Sequence, residues 1–322
     1  MLDIKAEVLA AQQRIRSYIR MTPLKYSSVF SQITGCNAFL KLENLQFTGS
    51  FKVRGAMNKL LTLTPSQQAK GVVTASSGNH GAATAFGLHK LNLSGIIFVP
   101  ENASQTKVKK IEELGANIQF HGLDSGLTEG FARSYAERHD MTYISPYNDL
   151  QVIGGQGTIA IELMQQLPQA DLDMVFVAVG GGGLISGIAG YLKSVKNKVK
   201  IIGCSPENSP VMAASVKAGN ILDMVSLPTI SDGTAGGVEA GALTFDICRT
   251  LVDDYVLVSE AEIHAAMRLF MESSHQIIEG AAGAAIAAFL KYKEHLQGKN
   301  VAVIICGANI SSDVLKSIST TH

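Results

Sequence analysis

Short apolar runs alternate with amphipathic segments along most of the chain, a pattern that predicts buried parallel strands joined by helices. An amphipathic helix is expected from 4 to about 19, with Val8, Ile15 and Ile19 among its apolar positions, before Thr22-Pro23-Leu24 breaks it. A short strand at 38–42 leads into Thr48-Gly49-Ser50-Phe51-Lys52-Val53-Arg54-Gly55-Ala56. From Gly71 the alternation is regular, with strands at 71–75, 95–100 and 117–120 interleaved with helices at 81–91, 106–114 and 128–139. A second series begins near Val152: strands at 174–179, 200–204, 255–258 and 301–305, and helices at 157–167, 184–195, 260–271 and 281–290. The Gly-, Ser- and Thr-rich region 220–241 reads as loop. Two α/β lobes are expected, with the cleft between them as the place for a site.

Composition narrows the function classes. At 322 residues the chain exceeds the usual single-domain size of about 100 to 200, and an apolar fraction of 46% is ample for a core. Charges cancel, 27 basic against 27 acidic, and no Lys/Arg-rich run suggests nucleic acid or an anionic membrane as a partner. A small-molecule protein follows. Charges at Asp3, Lys5 and Glu7 stand where a secretory signal would need an apolar run, and no stretch of about 18 apolar residues follows, so a soluble cytoplasmic protein is expected. Cys36, Cys204, Cys248 and Cys306 are widely spaced, which indicates neither a disulfide framework nor a zinc site.

Four stretches can carry chemistry. Lys52 lies between Phe51 and Val53 and is bracketed by Gly49 and Gly55; an amine in apolar surroundings loses ammonium solvation and becomes a neutral nucleophile. Taken alone it is also compatible with a solvated helix lysine. Ser76-Ser77-Gly78-Asn79-His80-Gly81 stands between a strand and a helix, where backbone N–H groups and the helix dipole can hold a carboxylate or phosphate. His80 reads either as a general base or, with no paired acid in sequence, as a structural histidine. Gly180-Gly181-Gly182-Gly183 lets the backbone fold into an anion nest that a Cβ would block. The same segment approaches a dinucleotide fingerprint through Gly181, Gly183 and Ser186, with Glu207 as the ribose acid, but the third glycine is missing. Cys306-Gly307-Ala308-Asn309 follows the last strand, with Cys306 as a nucleophile, a ring-nitrogen contact or a buried apolar side chain.

Taken together and in this order, the four motifs resemble the fold-type II pyridoxal-phosphate enzymes, in the threonine/serine dehydratase and serine racemase branch, over nearly the whole chain. The resemblance implies a two-lobe, tryptophan synthase β-like α/β architecture with parallel-rich sheets. Residues 1–70 and 149–322 would form a large cofactor-binding domain and 71–148 a small mobile domain that caps the substrate. It implies pyridoxal 5'-phosphate as cofactor, with Lys52 as the Schiff-base lysine, Phe51 beside the ring, Asn79 on the phenolic oxygen and Gly180, Gly181, Gly182 and Gly183 around the phosphate. Cys306 falls where many relatives place a serine facing the pyridine nitrogen. Ser76, Ser77, Gly78, Asn79 and His80 would bind substrate, with Ser77 also catalytic on the ring face opposite Lys52. The activity implied is β-elimination of water from L-threonine or L-serine to a 2-oxo acid and ammonia, by a homodimer, with serine racemase or 3-hydroxyaspartate dehydratase as alternatives.

Departures bear on the choice. Ser77, and Glu279 in Glu279-Gly280-Ala281-Ala282-Gly283, match the racemase pattern. Tyr147 in Pro146-Tyr147-Asn148 matches the dehydratases. Ser205 and Val211 stand where metal-dependent racemases carry acidic ligands, so no metal site of that kind is expected.

Overall fold

The computed structural model describes residues 2–167 and 171–320. Among them the apolar runs become two sheets. The larger contains β1 (Leu24–Tyr26), β2 (Asn37–Lys41), β7 (Met174–Ala178), β8 (Lys200–Pro206), β9 (Asp254–Val258) and β10 (Asn300–Ile304), in the order β1-β2-β10-β7-β8-β9. The smaller contains β3 (Val72–Ala75), β4 (Gly95–Val99), β5 (Asn117–Phe120) and β6 (Thr142–Tyr143), in the order β5-β4-β3-β6. Every pairing is parallel except β1 with β2. β7 is buried at every position, because helices cover both faces of a parallel sheet.

Where elements differ from the sequence reading, the cause is local and physical. The first helix is Ile4–Ile15, since the Tyr18 N–H turns back onto the Ile15 carbonyl at 2.8 Å. The apolar signal runs on because Tyr18 and Ile19 still pack against Val53, Ala56 and Met57. The helix expected at 157–167 spans Leu150–Gln166. Its first turns carry Gly154, Gly155 and Gly157, which weaken helical propensity but let other backbones approach; a Cβ on Gly155 would lie 2.5 Å from the Arg54 carbonyl oxygen. Asp149 caps that helix, its carboxylate accepting the Gln151 and Val152 N–H groups at 2.8 and 3.0 Å. Periodicity also passed over the short strands β1 and β6 and the helices Ser28–Thr34, Pro65–Lys70, Val211–Ala218, Leu243–Leu251 and Ser312–Thr320. The region 220–241 is loop apart from a single 3-10 turn at Asp232–Thr234.

A buried ion network fixes the helix Lys52–Leu61. The Arg54 guanidinium grips Glu43 through Nε and Nη2 at 2.8 Å each, and Glu162 through Nη1 and Nη2 at 2.7 and 2.9 Å. Lys41 adds a second cation on Glu162, so two positive and two negative groups are buried together. Removing one member would strand its partners' charge out of water, which is why such a network specifies one docking of the helix. Its consequence for the site is positional, since Lys52 opens this helix.

Candidate active site

Three strand ends converge at the site, as parallel sheets favour: ligands bind beyond the carboxyl ends of the strands. β10 runs into Cys306, whose carbonyl accepts the Phe51 N–H at 3.0 Å, while Ser50 and Gly307 form an antiparallel bridge. This short ladder brings the lysine stretch and the Cys306 turn side by side. β3 delivers Ser76 to Asn79, and β7 delivers the glycine turn.

Lys52 is half-buried, and desolvation pulls its ammonium down to about 8 from 10.5, with the carboxylate of Glu279 opposing the shift. Its Nζ donates to the Pro146 carbonyl at 2.8 Å and lies 5.3 Å from the centre of the Phe51 ring. The reading of Lys52 as a solvated helix lysine therefore fails, although the residue does begin a helix.

The glycine turn has the shape of a phosphate cradle. Gly182 adopts φ +85°, and a Cβ on Gly181 or Gly183 would lie 2.5 or 3.0 Å from Tyr147. The helix Gly183–Val195 starts here, and its first-turn N–H groups have no carbonyl ahead of them in the helix. Thr244 secures the turn by donating to the Gly181 carbonyl at 2.7 Å. Nothing favours a dinucleotide: Ser186 is buried with its hydroxyl against the Cys248 Sγ, and Glu207 is exposed and paired with Lys291 at 3.7 Å.

At the Ser76–His80 turn, the helix begins at Asn79, two residues before the expected start. The Ser76 hydroxyl accepts the Gly78 N–H at 3.1 Å, so that N–H is spent inside the turn and is not open to a ligand. Ser77 is half-buried in the same turn. The Asn79 amide donates to both oxygens of Glu279 at 3.0 and 2.9 Å and accepts from Asn309. His80 is neutral, pushed down to about 3 by burial and by the nearby Lys52 charge; its Nε2 meets the Ile144 carbonyl at 3.1 Å. That pairing makes Nε2–H the donor and leaves Nδ1 buried without a partner, a structural histidine in preference to a base.

Glu279 is the group the motifs did not assign. It precedes the helix Gly280–Lys291 without capping it, and its carboxylate turns inward to Asn79, to the Asn309 N–H at 3.1 Å and to Cys306 Sγ at 3.7 Å. Burial lifts it to about 7, with the Asn79 bonds pulling the other way. Gly307 makes room for it, since a Cβ there would sit 2.6 Å from the carboxylate. Burial, with Glu279 next, raises the Cys306 thiol well above its ordinary value, so it stays neutral and makes a poor nucleophile. From sequence Glu279 was singled out only as matching the racemase pattern, with no role attached, because an acid at a helix start usually means a solvated cap. The Ser205 hydroxyl donates to the Val179 carbonyl at 3.1 Å, and Val211 packs in the main core.

A half-buried amine of lowered pKa, a glycine cradle at a helix start and a neutral thiol suit a phosphate-bearing aldehyde cofactor. The comparisons agree. The sequence pattern of the family described as "Pyridoxal-phosphate dependent enzyme" matches residues 15–307. The chain is 39% identical over 312 residues to the L-threonine ammonia-lyase of Thermotoga maritima, covering 97% of this chain and 77% of that protein. It is 38% identical over 315 residues to the catabolic L-threonine dehydratase TdcB of Escherichia coli, covering 97% and 95%. Its structure superposes on the processed form of threonine deaminase isoform 2 from Solanum lycopersicum with a TM-score of 0.93 at 32% identity, covering 98% and 91%. Against maize serine racemase the TM-score is 0.91 at 33% identity, covering 97% and 95%. With two-lobe architecture, parallel sheets and matching relatives in agreement, this chain belongs to the fold-type II pyridoxal-phosphate dependent enzymes, and its cofactor is pyridoxal 5'-phosphate.

Proposed function

We propose that the protein is an ammonia-lyase that converts L-threonine or L-serine to a 2-oxo acid and ammonia, with loss of the β-hydroxyl as water. The observation that carries this reading is the half-buried Lys52 amine, at about 8, tied through Pro146 and Tyr147 to a glycine cradle and lying near a neutral Cys306. Bound pyridoxal phosphate supplies an aldehyde for amines and a ring that withdraws electrons from the substrate Cα. In our reading Gly180 to Gly183 hold its phosphate, Phe51 lies beside its ring, and Asn79 holds its phenolic oxygen, releasing Glu279 to do so. A thiol, unlike a carboxylate, does not keep the pyridine nitrogen protonated, which weakens electron withdrawal and favours prompt loss of the β-hydroxyl.

Lys52 would hold the cofactor through its amine and, when free, would take the substrate's α-proton on Nζ; a lysine shifted to about 8 can do this near neutral pH. The backbone N–H groups of Ser77 and Asn79 orient the substrate carboxylate at the helix start. Residues 1–70 and 149–322 serve as the cofactor-binding domain and 71–148 as a mobile cap, in a cytoplasmic homodimer. Relatives on both sides of the choice, dehydratases and a serine racemase, keep a second product in view, and Ser77 is our donor on the opposite face.

The purified protein should be yellow and release keto acid and ammonia from L-threonine or L-serine. Lys52→Ala should lose this activity by at least about 10³-fold, the scale set by removing a positioned base and nucleophile. D-isomer without keto acid would replace the lyase reading with an isomerase, and a Lys52→Ala enzyme of undiminished rate would remove Lys52 from the mechanism.

A further inference from the structure

A cluster of charges outside the cofactor motifs is linked to the site through residues 143–147. Arg133, on the helix Ser125–Arg138, binds Glu129 one turn back at 2.8 Å and Glu239 at 2.6 Å, and its guanidinium lies 4.4 Å from the centre of the Tyr143 ring. Glu239 belongs to the loop before the helix Leu243–Leu251, so the pair joins distant parts of the chain. Its N–H donates to the Tyr147 hydroxyl at 2.9 Å; the Tyr147 ring lies over Gly181, and the Tyr147 backbone and Cβ lie against Gly183. One residue earlier, the Pro146 carbonyl holds Lys52 Nζ. The cluster is thus tied to the cradle and to the lysine through residues 143–147, and the negative charge of Glu129 is felt at the Lys52 amine.

Two carboxylates face one guanidinium, which leaves a formal charge of −1 and an arginine with both flanks taken. The three side chains are 25% to 35% exposed, so their field is only partly screened. No unpaired cation is offered by this cluster to an incoming acid. We propose that Glu129 and Glu239 select substrate by charge: they saturate Arg133 and repel β-hydroxy amino acids that carry a second carboxylate, while passing those with neutral side chains. This rests on the reading that the site takes β-hydroxy amino acids, and it excludes the 3-hydroxyaspartate class from efficient use. Selection of this kind works through repulsion of the wrong ligand as much as attraction of the right one.

The test is a charge ladder on the holoenzyme, read with malonate and 3-hydroxypropionate, which are similar in size but differ by one carboxylate. Their dissociation constants are measured from the cofactor's absorbance and fluorescence, so no turnover is needed. Arg133→Gln takes the cluster to −2, Glu239→Gln to 0, and Glu129→Gln with Glu239→Gln to +1, against −1 in the parent. The malonate to 3-hydroxypropionate ratio of dissociation constants should fall by about fivefold per step at low salt and converge at high salt. A flat ratio, or equal changes for both probes, would overturn the proposal, as would failure of either probe to compete with L-serine in any variant. If the ladder holds while L-serine and L-threonine give no keto acid, the lyase reading falls and the charge filter stands.

Discussion

Glu279 ties together the three polar groups nearest the proposed ring position, Asn79, Asn309 and Cys306, and its ionisation carries a measurable consequence. Its folded value of about 7 lies above the ordinary 4.5, so the folded apoprotein holds a proton that the unfolded chain has already lost. The resulting stability is full below about 4.5 and is lost as pH rises through 7. Lys52 has the opposite sense: lowered from 10.5 to about 8, it costs stability below 8, and that cost is relieved as pH climbs towards 10.5. Urea unfolding of the apoprotein at pH 5 and 7.5 should therefore show a loss of stability across that interval that shrinks in Glu279→Gln. Equal losses in parent and variant would mean that Glu279 is already ionised at pH 5, paired with Lys52. Neither shift can be read from the residue type, because each is caused by burial among groups far apart in sequence.

The elements that deliver the site were legible to the extent that their signal is local. β7, the glycine turn and the helix Gly183–Val195 were all expected, since a buried strand, a run of glycines and an apolar helix each leave a short-range imprint. The helix Leu150–Gln166 was cut short in the sequence reading because its glycines serve close contacts and not its own propensity: Gly155 meets Arg54 and Gly55, Gly154 meets Glu7, and Gly157 meets Val8 and Gly187. A testable consequence lies in the turn. Gly181→Ala would drive a methyl group to 2.5 Å from the Tyr147 ring, and the turn must shift to accept it. We expect at least about a tenfold weaker hold on pyridoxal phosphate, measured by equilibrium dialysis, the loss of one charge-assisted phosphate contact being sufficient for that. Unaltered retention would show that the cradle's shape does not depend on this close approach.

At the scale of the whole molecule, the two sheet units meet through an apolar seam, in which Val53, Ala56 and Met57 pack with Ala83 and Phe86, and through polar contacts around it. Lys107 pairs with Asp232 at 2.5 Å, Arg133 with Glu239 at 2.6 Å, and Lys110 reaches Asn309 and the Thr48 carbonyl. The Lys107 pair is 31% and 54% exposed on its two sides, which places it among ion pairs that contribute less than about 1 kcal/mol. Lys107→Met should leave denaturant stability within about 1 kcal/mol of the parent; a larger loss would mean that closure of the two units depends on this one bridge.

The sequence by itself determined the alternation of strands and helices, the parallel sheets, and the four motifs whose order marks a pyridoxal-phosphate enzyme, because periodicity, glycine and turn chemistry act over a few residues. It also carried no helix long and apolar enough to cross a membrane, as the described residues show. Only the tertiary structure decided that Glu279 lies beneath Asn79, that His80 is neutral, and that Arg133 is saturated by Glu129 and Glu239. Residues 79 and 279, or 133 and 239, share no local pattern. Their charge states depend on how much water and which partners packing leaves them, and packing is a property of the folded whole.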